Sequence, residues 1–301
     1  MKLKEPIEQT IEASGAHFGL ALRHQETGEE LLLDADSYFV LASTFKVPVL
    51  VEAFFQIGAG QLSLAERLPL RTADKNLPSG VLTFFEDGLL PTVRDLLTLM
   101  IIISDNTATD ILMKRLGIPA TTARMQALGL NHLHAPLTVR AIFDSMLPNA
   151  DPTQDLHQLE AEEQRAGPRH DSLAYQLGPA NNAGTPREMT QLLGLIWDGR
   201  IPDRAGGDGA LGILLQQQLN DRLPRFLPAG VRVAHKTGTL SGVRNDAGII
   251  YARDDSHVAL TVFTRWDDLA VWDDPRAGRR RANEIDSAIG EIGRLVYDAY
   301  R

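Results

Sequence analysis

Cysteine is absent from this chain, which excludes disulfides, thiol nucleophiles and cysteine-based zinc sites. Also missing is any apolar run of the roughly 18 or more residues that a membrane-spanning helix needs. There is no excess of positive charge either: a net charge of −9 gives no general pull toward nucleic acid or anionic lipid. The one arginine cluster, Arg279 to Arg281, stands beside many acids and reads as a solvated patch. The N-terminal stretch "MKLKEPIEQTIEASGAHFGL" lacks the uninterrupted apolar core of a signal peptide. As written, a cytoplasmic location is expected, or an extracytoplasmic one if a cleaved leader precedes this N-terminus. No internal repeat or low-complexity linker divides the chain.

What remains is a composition of 44% hydrophobic and 23% charged residues over 301 positions, that of a soluble globular protein with room for two lobes or one large domain. Residues 5–14 read as a short helix, followed by two strands around the turn "QETGE". The middle is helical. It holds an apolar segment over 44–57, a capping-box start at Thr92 and Asp95, a C-terminal stop at Gly117, and a further start at Thr185, Pro186 and Glu188. Beyond residue 230, "VRVAHKTGTL", "DAGIIYAR" and "HVALTVFTRW" read as antiparallel strands broken at "SGVRND" and "RDDS", and a helix closes the chain. Residues 135–183, rich in Pro, Asp, Glu and Gln, read as a long surface excursion with a helical stretch at 154–166.

Three short patterns could carry chemistry. In "LASTFKVPVL", Ser43 and Lys46 are three apart, so on a helix they share one face. A serine hydroxyl needs a base, and a lysine serves as one when burial lowers its pKa. Alone, the pair reads first as two polar residues on an apolar helix, since S-x-x-K occurs on the order of once by chance in a chain of this length. Pro48 is a complication, because proline removes a helix hydrogen bond. The run Ser104-Asp105-Asn106 sits between two helices and offers a hydroxyl and an amide, or simply a cap. Lys236-Thr237-Gly238, in a strand, offers fixed positive charge and a glycine fit for close approach, or an ordinary edge lysine and a turn. Their occurrence in this order has a chance of roughly one in a thousand or less from residue usage.

Together the three patterns resemble the S-x-x-K, S-D-N and K-T-G set of the penicillin-recognising serine hydrolases, the class A β-lactamases and penicillin-binding proteins. "NNAGTPREMTQLL" is similar to the Thr-Pro helix start that follows the ω-loop in that family. The resemblance implies an α/β (α+β) two-lobe fold: an antiparallel five-stranded sheet flanked by helices, from about 1–42 and 226–301, with an inserted all-α lobe over about 43–225. It implies that Ser43 is acylated by a β-lactam or peptide carbonyl, that Lys46 takes its proton, and that Ser104, helped by Lys236, passes a proton to the leaving nitrogen. Asn106 would bind the substrate's amide side chain, and Thr237, Gly238 and Thr239 its carboxylate, with Arg244 as a further carboxylate-binding residue. The oxyanion hole would be the backbone N–H groups of Ser43 and Thr239. Asp105 would be structural. No cofactor or metal is implied, and the partner is a small-molecule substrate.

One departure stands out. The family's ω-loop E-x-x-L-N, whose glutamate activates the deacylating water, has no counterpart: the window reads "PLTVRAIFDS". Asp144, Glu160, Glu162 and Glu163 are candidates without a spacing argument. The expectation is an acyl-enzyme hydrolase with slow deacylation. A D,D-peptidase-like amide or ester hydrolase and a non-catalytic penicillin-binding or sensor protein are the alternatives. His132 and His134, an H-x-H pair without a third ligand in sight, read as surface or loop histidines, and His235 as a structural residue pointing away from Lys236.

Overall fold

In the computed structural model the described residues are 3–77, 79–147, 169–202, 209–268 and 274–301. The expected helix over 154–166 and the candidates Glu160, Glu162 and Glu163 lie outside them.

The sheet draws on both ends of the chain. β1 (His17–His24) and β2 (Glu30–Leu33) form the N-terminal hairpin. β5 (Val233–Leu240), β6 (Val243–Arg253) and β7 (Ser256–Arg265) form the C-terminal meander, and β7 pairs antiparallel with β1. The order is β2-β1-β7-β6-β5, which leaves β5 at an edge. A second, two-stranded ribbon pairs β3 (Phe39–Val40) with β4 (Ala183–Gly184). Helices α1 (Lys4–Ser14) and α9 (Pro275–Tyr300) cover one face of the large sheet. Between the strands come α2 (Lys46–Gly58), α3 (Val93–Ile102), α4 (Asn106–Leu116), α5 (Ile118–Ala127), α6 (Val139–Met146), α7 (Pro186–Trp197) and α8 (Ala210–Leu214).

The period-two pattern of the central strands builds two cores. In β1, Leu20 and Leu22 face α1 and α9 and pack with Leu260, Ile289 and Ile292. Gly19 and Ala21 face the other way. A Cβ on Gly19 would lie 2.4 Å from the Phe39 ring and 2.9 Å from Pro186, so only glycine lets the ribbon and α7 sit this close. Thr190 of α7 donates to the Ala21 carbonyl at 3.0 Å and lies 2.8 Å from the Thr261 hydroxyl. The middle of the chain thus supplies a helix to the sheet as well as the helical lobe.

Most start signals work as read. Thr92 and Asp95 form a reciprocal capping box, and Thr185 caps α7 with Pro186 in its first turn. Pro48 is the third residue of α2, where a missing N–H costs no intrahelical bond. Glu188 differs: its carboxylate accepts from the backbone N–H and lies 2.7 Å from Nδ1 of His132. His134 is buried at 5% exposure rather than lying on the surface, with Nε2 3.2 Å from the Tyr38 hydroxyl.

The break expected at "SGVRND" is shorter than that. Only Ser241 and Gly242 stand between β5 and β6, and Asn245 and Asp246 are buried inside β6. Their polar side chains are interior ties rather than turn formers. Asn245 Nδ2 donates to the carbonyls of Val40 at 2.8 Å and Leu41 at 3.1 Å, and its Oδ1 accepts from Thr264 N at 2.9 Å. Asn245→Ala would remove the side-chain partner of the Val40 carbonyl and of Thr264 N, so a loss of about 2 to 3 kcal/mol is expected in urea unfolding with no change in m-value.

Candidate active site

A single 3₁₀ turn, Ala42–Phe45, leads directly into α2 and carries Ser43, half-buried, at the floor of a cleft. Ala42, just before it, has φ +44°, a left-handed conformation that a non-glycine residue holds only under constraint from its surroundings. Part of that constraint is β5. A Cβ on Gly238 would lie 2.6 Å from the Leu41 carbonyl oxygen, so the glycine of K-T-G is there for the close approach of another backbone.

Three residues beyond Ser43, Lys46 is fully buried. Its amine donates to the Ser104 carbonyl at 2.7 Å, the Ser104 hydroxyl at 3.0 Å and Asn106 Oδ1 at 2.8 Å. Burial pushes this amine down to about 7, against the charges of Asp105 and Asp110, which pull it up. Ser104 also has positive φ, +60°, and turns the chain between α3 and α4. Asp105 caps α4 by accepting from Ala108 N at 2.9 Å, and its other oxygen accepts from Val81 N at 2.7 Å and Leu82 N at 3.0 Å, which gives it a structural role. Lys236 is fully buried and donates to the Thr237 carbonyl at 2.8 Å. Burial, together with the charge of Lys46, holds its amine well below the ordinary lysine value, while Asp246 pulls the other way.

The cleft, about 320 Å³, is lined by Ser43, Ser104, Asn106, Thr237 and Thr239 from the three motifs. Its remaining walls include Val139, Ile142 and Phe143 of α6, and Ala174, Asn181 and Asn182 from the following segment. The described parts of 135–183, residues 135–147 and 169–183, are therefore not merely a surface excursion. Thr138 caps α6, and Val139, Ile142, Phe143 and Met146 repeat at helical spacing, a signal present in the sequence. Asp110 of α4 fixes the start of this helix by accepting from Val139 N at 2.7 Å and Arg140 N at 2.9 Å. Asp144 is exposed and does not line the cleft.

The model of the beta-lactamase enzyme family matches residues 2–300. The chain belongs to that family. Among its relatives, β-lactamase VEB-1 of Pseudomonas aeruginosa is 24% identical, the match covering 98% of this chain and 89% of that protein. A β-lactamase crystal structure from Chitinophaga pinensis superposes with a TM-score of 0.78 at 24% identity, covering 99% of each chain. PBP-A, solved as a leucine-to-glutamate mutant in an acyl-enzyme complex with penicillin G, superposes with a TM-score of 0.73 at 25% identity, covering 99% of this chain and 96% of that one. The five-stranded antiparallel sheet with helices on both faces is the class A β-lactamase fold, and the family is one of serine hydrolases acting on β-lactam amide bonds. Among the described residues no helix is long and apolar enough to cross a membrane.

Within this family site, the arginine differs from expectation. Arg244 does not line the cleft. Its guanidinium donates to the Leu240 and Val243 carbonyls, lies 3.6 Å from Asp286 and stacks over Trp266. Arg222 does not line the cleft either, but its guanidinium is buried behind the K-T-G strand, donating to Thr239 Oγ1 at 2.6 Å, to Gly238 O at 2.8 Å and to Asp286 Oδ1 at 2.7 Å. Nothing in the sequence "NDRLPRFLP" marks it, because its role comes from a contact across 17 residues.

The Lys46 environment sets a pH dependence. Below about pH 7 the amine is protonated and has no lone pair for a serine proton; above it the neutral amine is available. The rate of serine acylation, followed by stopped-flow with a chromogenic cephalosporin, is expected to rise through about pH 7 and level off above it. Lys46→Arg, which stays charged throughout, is expected to lose at least about a hundredfold at every pH.

Proposed function

We propose that this protein opens β-lactam amides through an acyl-enzyme on Ser43 and that release of the acyl group is its slow step. The observation that carries the first half is the buried amine of Lys46, held down to about 7, three residues beyond Ser43 and bonded to Ser104 and Asn106. A neutral amine has two N–H groups for the Ser104 carbonyl and Asn106 Oδ1, which leaves its lone pair for a hydroxyl proton.

In this reading Ser43 Oγ attacks the lactam carbonyl while Lys46 takes its proton. The oxyanion is received by the backbone N–H groups of Ser43 and Thr239, the latter on the free edge of β5. Ser104, bonded to Lys46, hands a proton to the departing ring nitrogen, and Lys236 in its protonated form favours that transfer. Asn106 receives the amide side chain. Thr237 and Thr239 receive the carboxylate, with Arg222, bonded to Thr239 Oγ1, rather than Arg244 as the cation behind them.

The second half rests on the walls. Among the described residues that line the cleft there is no Asp or Glu; Val139, Ile142, Phe143 and Ala174 present carbon where a deacylating water needs a base. The same wall favours, as a second reading, a penicillin-binding or D,D-peptidase-like protein that holds its acyl group.

Intact mass after mixing with a penicillin tests both. A one-to-one adduct that decays slowly is expected, and none on Ser43→Ala. Val139→Glu, a carboxylate at the head of α6, is expected to shorten the adduct's lifetime by about a hundredfold. Absence of any adduct and of any hydrolysis in the unmodified protein would sink the acyl-enzyme reading; rapid turnover by the unmodified protein would sink the slow step.

A further inference from the structure

Residues two apart in a strand share a face, so His235, Thr237 and Thr239 line one side of β5, while Lys236 and Gly238 face the serine turn. The His235 side is covered by the segment 217–223, which grips the strand along its length. Gln217 Nε2 donates to the His235 carbonyl at 3.5 Å, and Asn220 Oδ1 lies 3.1 Å from His235 Nε2. Arg222 reaches Thr239 Oγ1 at 2.6 Å, and Leu223 N donates to Asp246 Oδ2 at 3.1 Å. The same segment puts Leu219 into the cleft wall.

At the base of these contacts lies a pair that the reaction does not use. His235 and Asp246 are both fully buried, with His235 Nδ1 2.9 Å from Asp246 Oδ1. Space for the imidazole is cleared by Gly248 on the facing strand, where a Cβ would come within 2.3 Å of the His235 Cβ. With Nδ1 engaged by the carboxylate, the ring is fixed and Nε2 is aimed at Asn220. Burying a histidine–carboxylate pair costs desolvation that an apolar pair would avoid. Here the pair orients a polar segment that no apolar contact would hold in register.

We propose that His235, oriented by Asp246, is a positioning residue: through Asn220 it sets the 217–223 segment so that Arg222 stays bonded to Thr239 from behind the cleft, and so makes the enzyme selective for substrates bearing a carboxylate there. The proposal rests on the reading of Arg222 as the carboxylate's cation. It extends from residues on the cleft to a pair that never touches substrate.

The test compares acylation of the full-length protein by a penicillin and by its methyl ester, which lacks the negative charge. The readout is the ratio of the two kcat/KM values, or of second-order acylation rates if turnover is slow. Arg222→Ala is expected to lower the preference for the free carboxylate at least about tenfold. His235→Asn, whose amide can reach the Nδ1 position and keep Asp246 but not Asn220, is expected to lower it about three- to tenfold, as is Asn220→Ala at an exposed position. Acylation by the methyl ester should stay within about twofold of the unmodified protein in both. A purely structural role would slow both substrates alike or lower only Tm. If Arg222→Ala reduces the preference while His235→Asn and Asn220→Ala keep it, the positioning role is overturned and the Arg222 reading stands. If Arg222→Ala keeps the preference, both fall. Should His235→Asn fail to fold, Asn220→Ala decides alone.

Discussion

A lysine amine buried to the exclusion of water must find fixed oxygen partners, and much of this molecule is organised by that demand. The partners of Lys46 come from residues 104 and 106, on the far side of the helical lobe in sequence. For Ser104 to offer both its carbonyl and its hydroxyl to one amine, its backbone takes a positive φ that a serine seldom adopts. Asp105 holds it there by capping α4 and at the same time binding the 81–82 turn. Gly80 completes the arrangement, since a Cβ there would lie 2.4 Å from the Asp105 carboxylate. The desolvation that makes Lys46 costly to bury also makes it a base near neutral pH, so the cost and the chemistry have one origin.

The serine turn is held from the opposite direction by the sheet. Asn245 pins the Val40 and Leu41 carbonyls, Gly238 lets β5 lie against Leu41, and Arg222 ties Gly238, Thr239 and Asn245 to Asp286 of α9. Ser43 thus stands where two separately built cores meet. A positive φ at Ala42 persists because both sides over-determine it. Precision at Ser43 is a property of the junction, which no single element supplies.

Between these supports the cleft is polar on its motif side and apolar along α6. Asp110, itself pushed up by burial, anchors the head of that helix and so aims Val139 inward. In the proposed reaction, acylation uses Lys46 as the base for the serine. Hydrolysis of the ester needs a base for water as well, and the described cleft wall along α6 offers Val139, Ile142 and Phe143.

Sequence alone picked out residues that the structure brings together at one cleft. Ser43, Lys46, Ser104, Asn106, Thr237 and Thr239 belong to short patterns whose internal spacing is local, and local spacing survives without knowledge of the fold. The element order and the caps at Thr92 and Thr185 were legible for the same reason. Tertiary structure alone decided which arginine bonds to the Thr239 side chain, because Arg222 and Arg244 both approach Asp286 and only packing separates them. It also decided that Asn245 and Asp246 are interior ties rather than a turn, and that α6 is a wall of the cleft, although its apolar spacing was there to be read. Burial converts the meaning of such residues: an asparagine signals a turn in water and a cross-link in a core, and sequence does not say which medium it will meet.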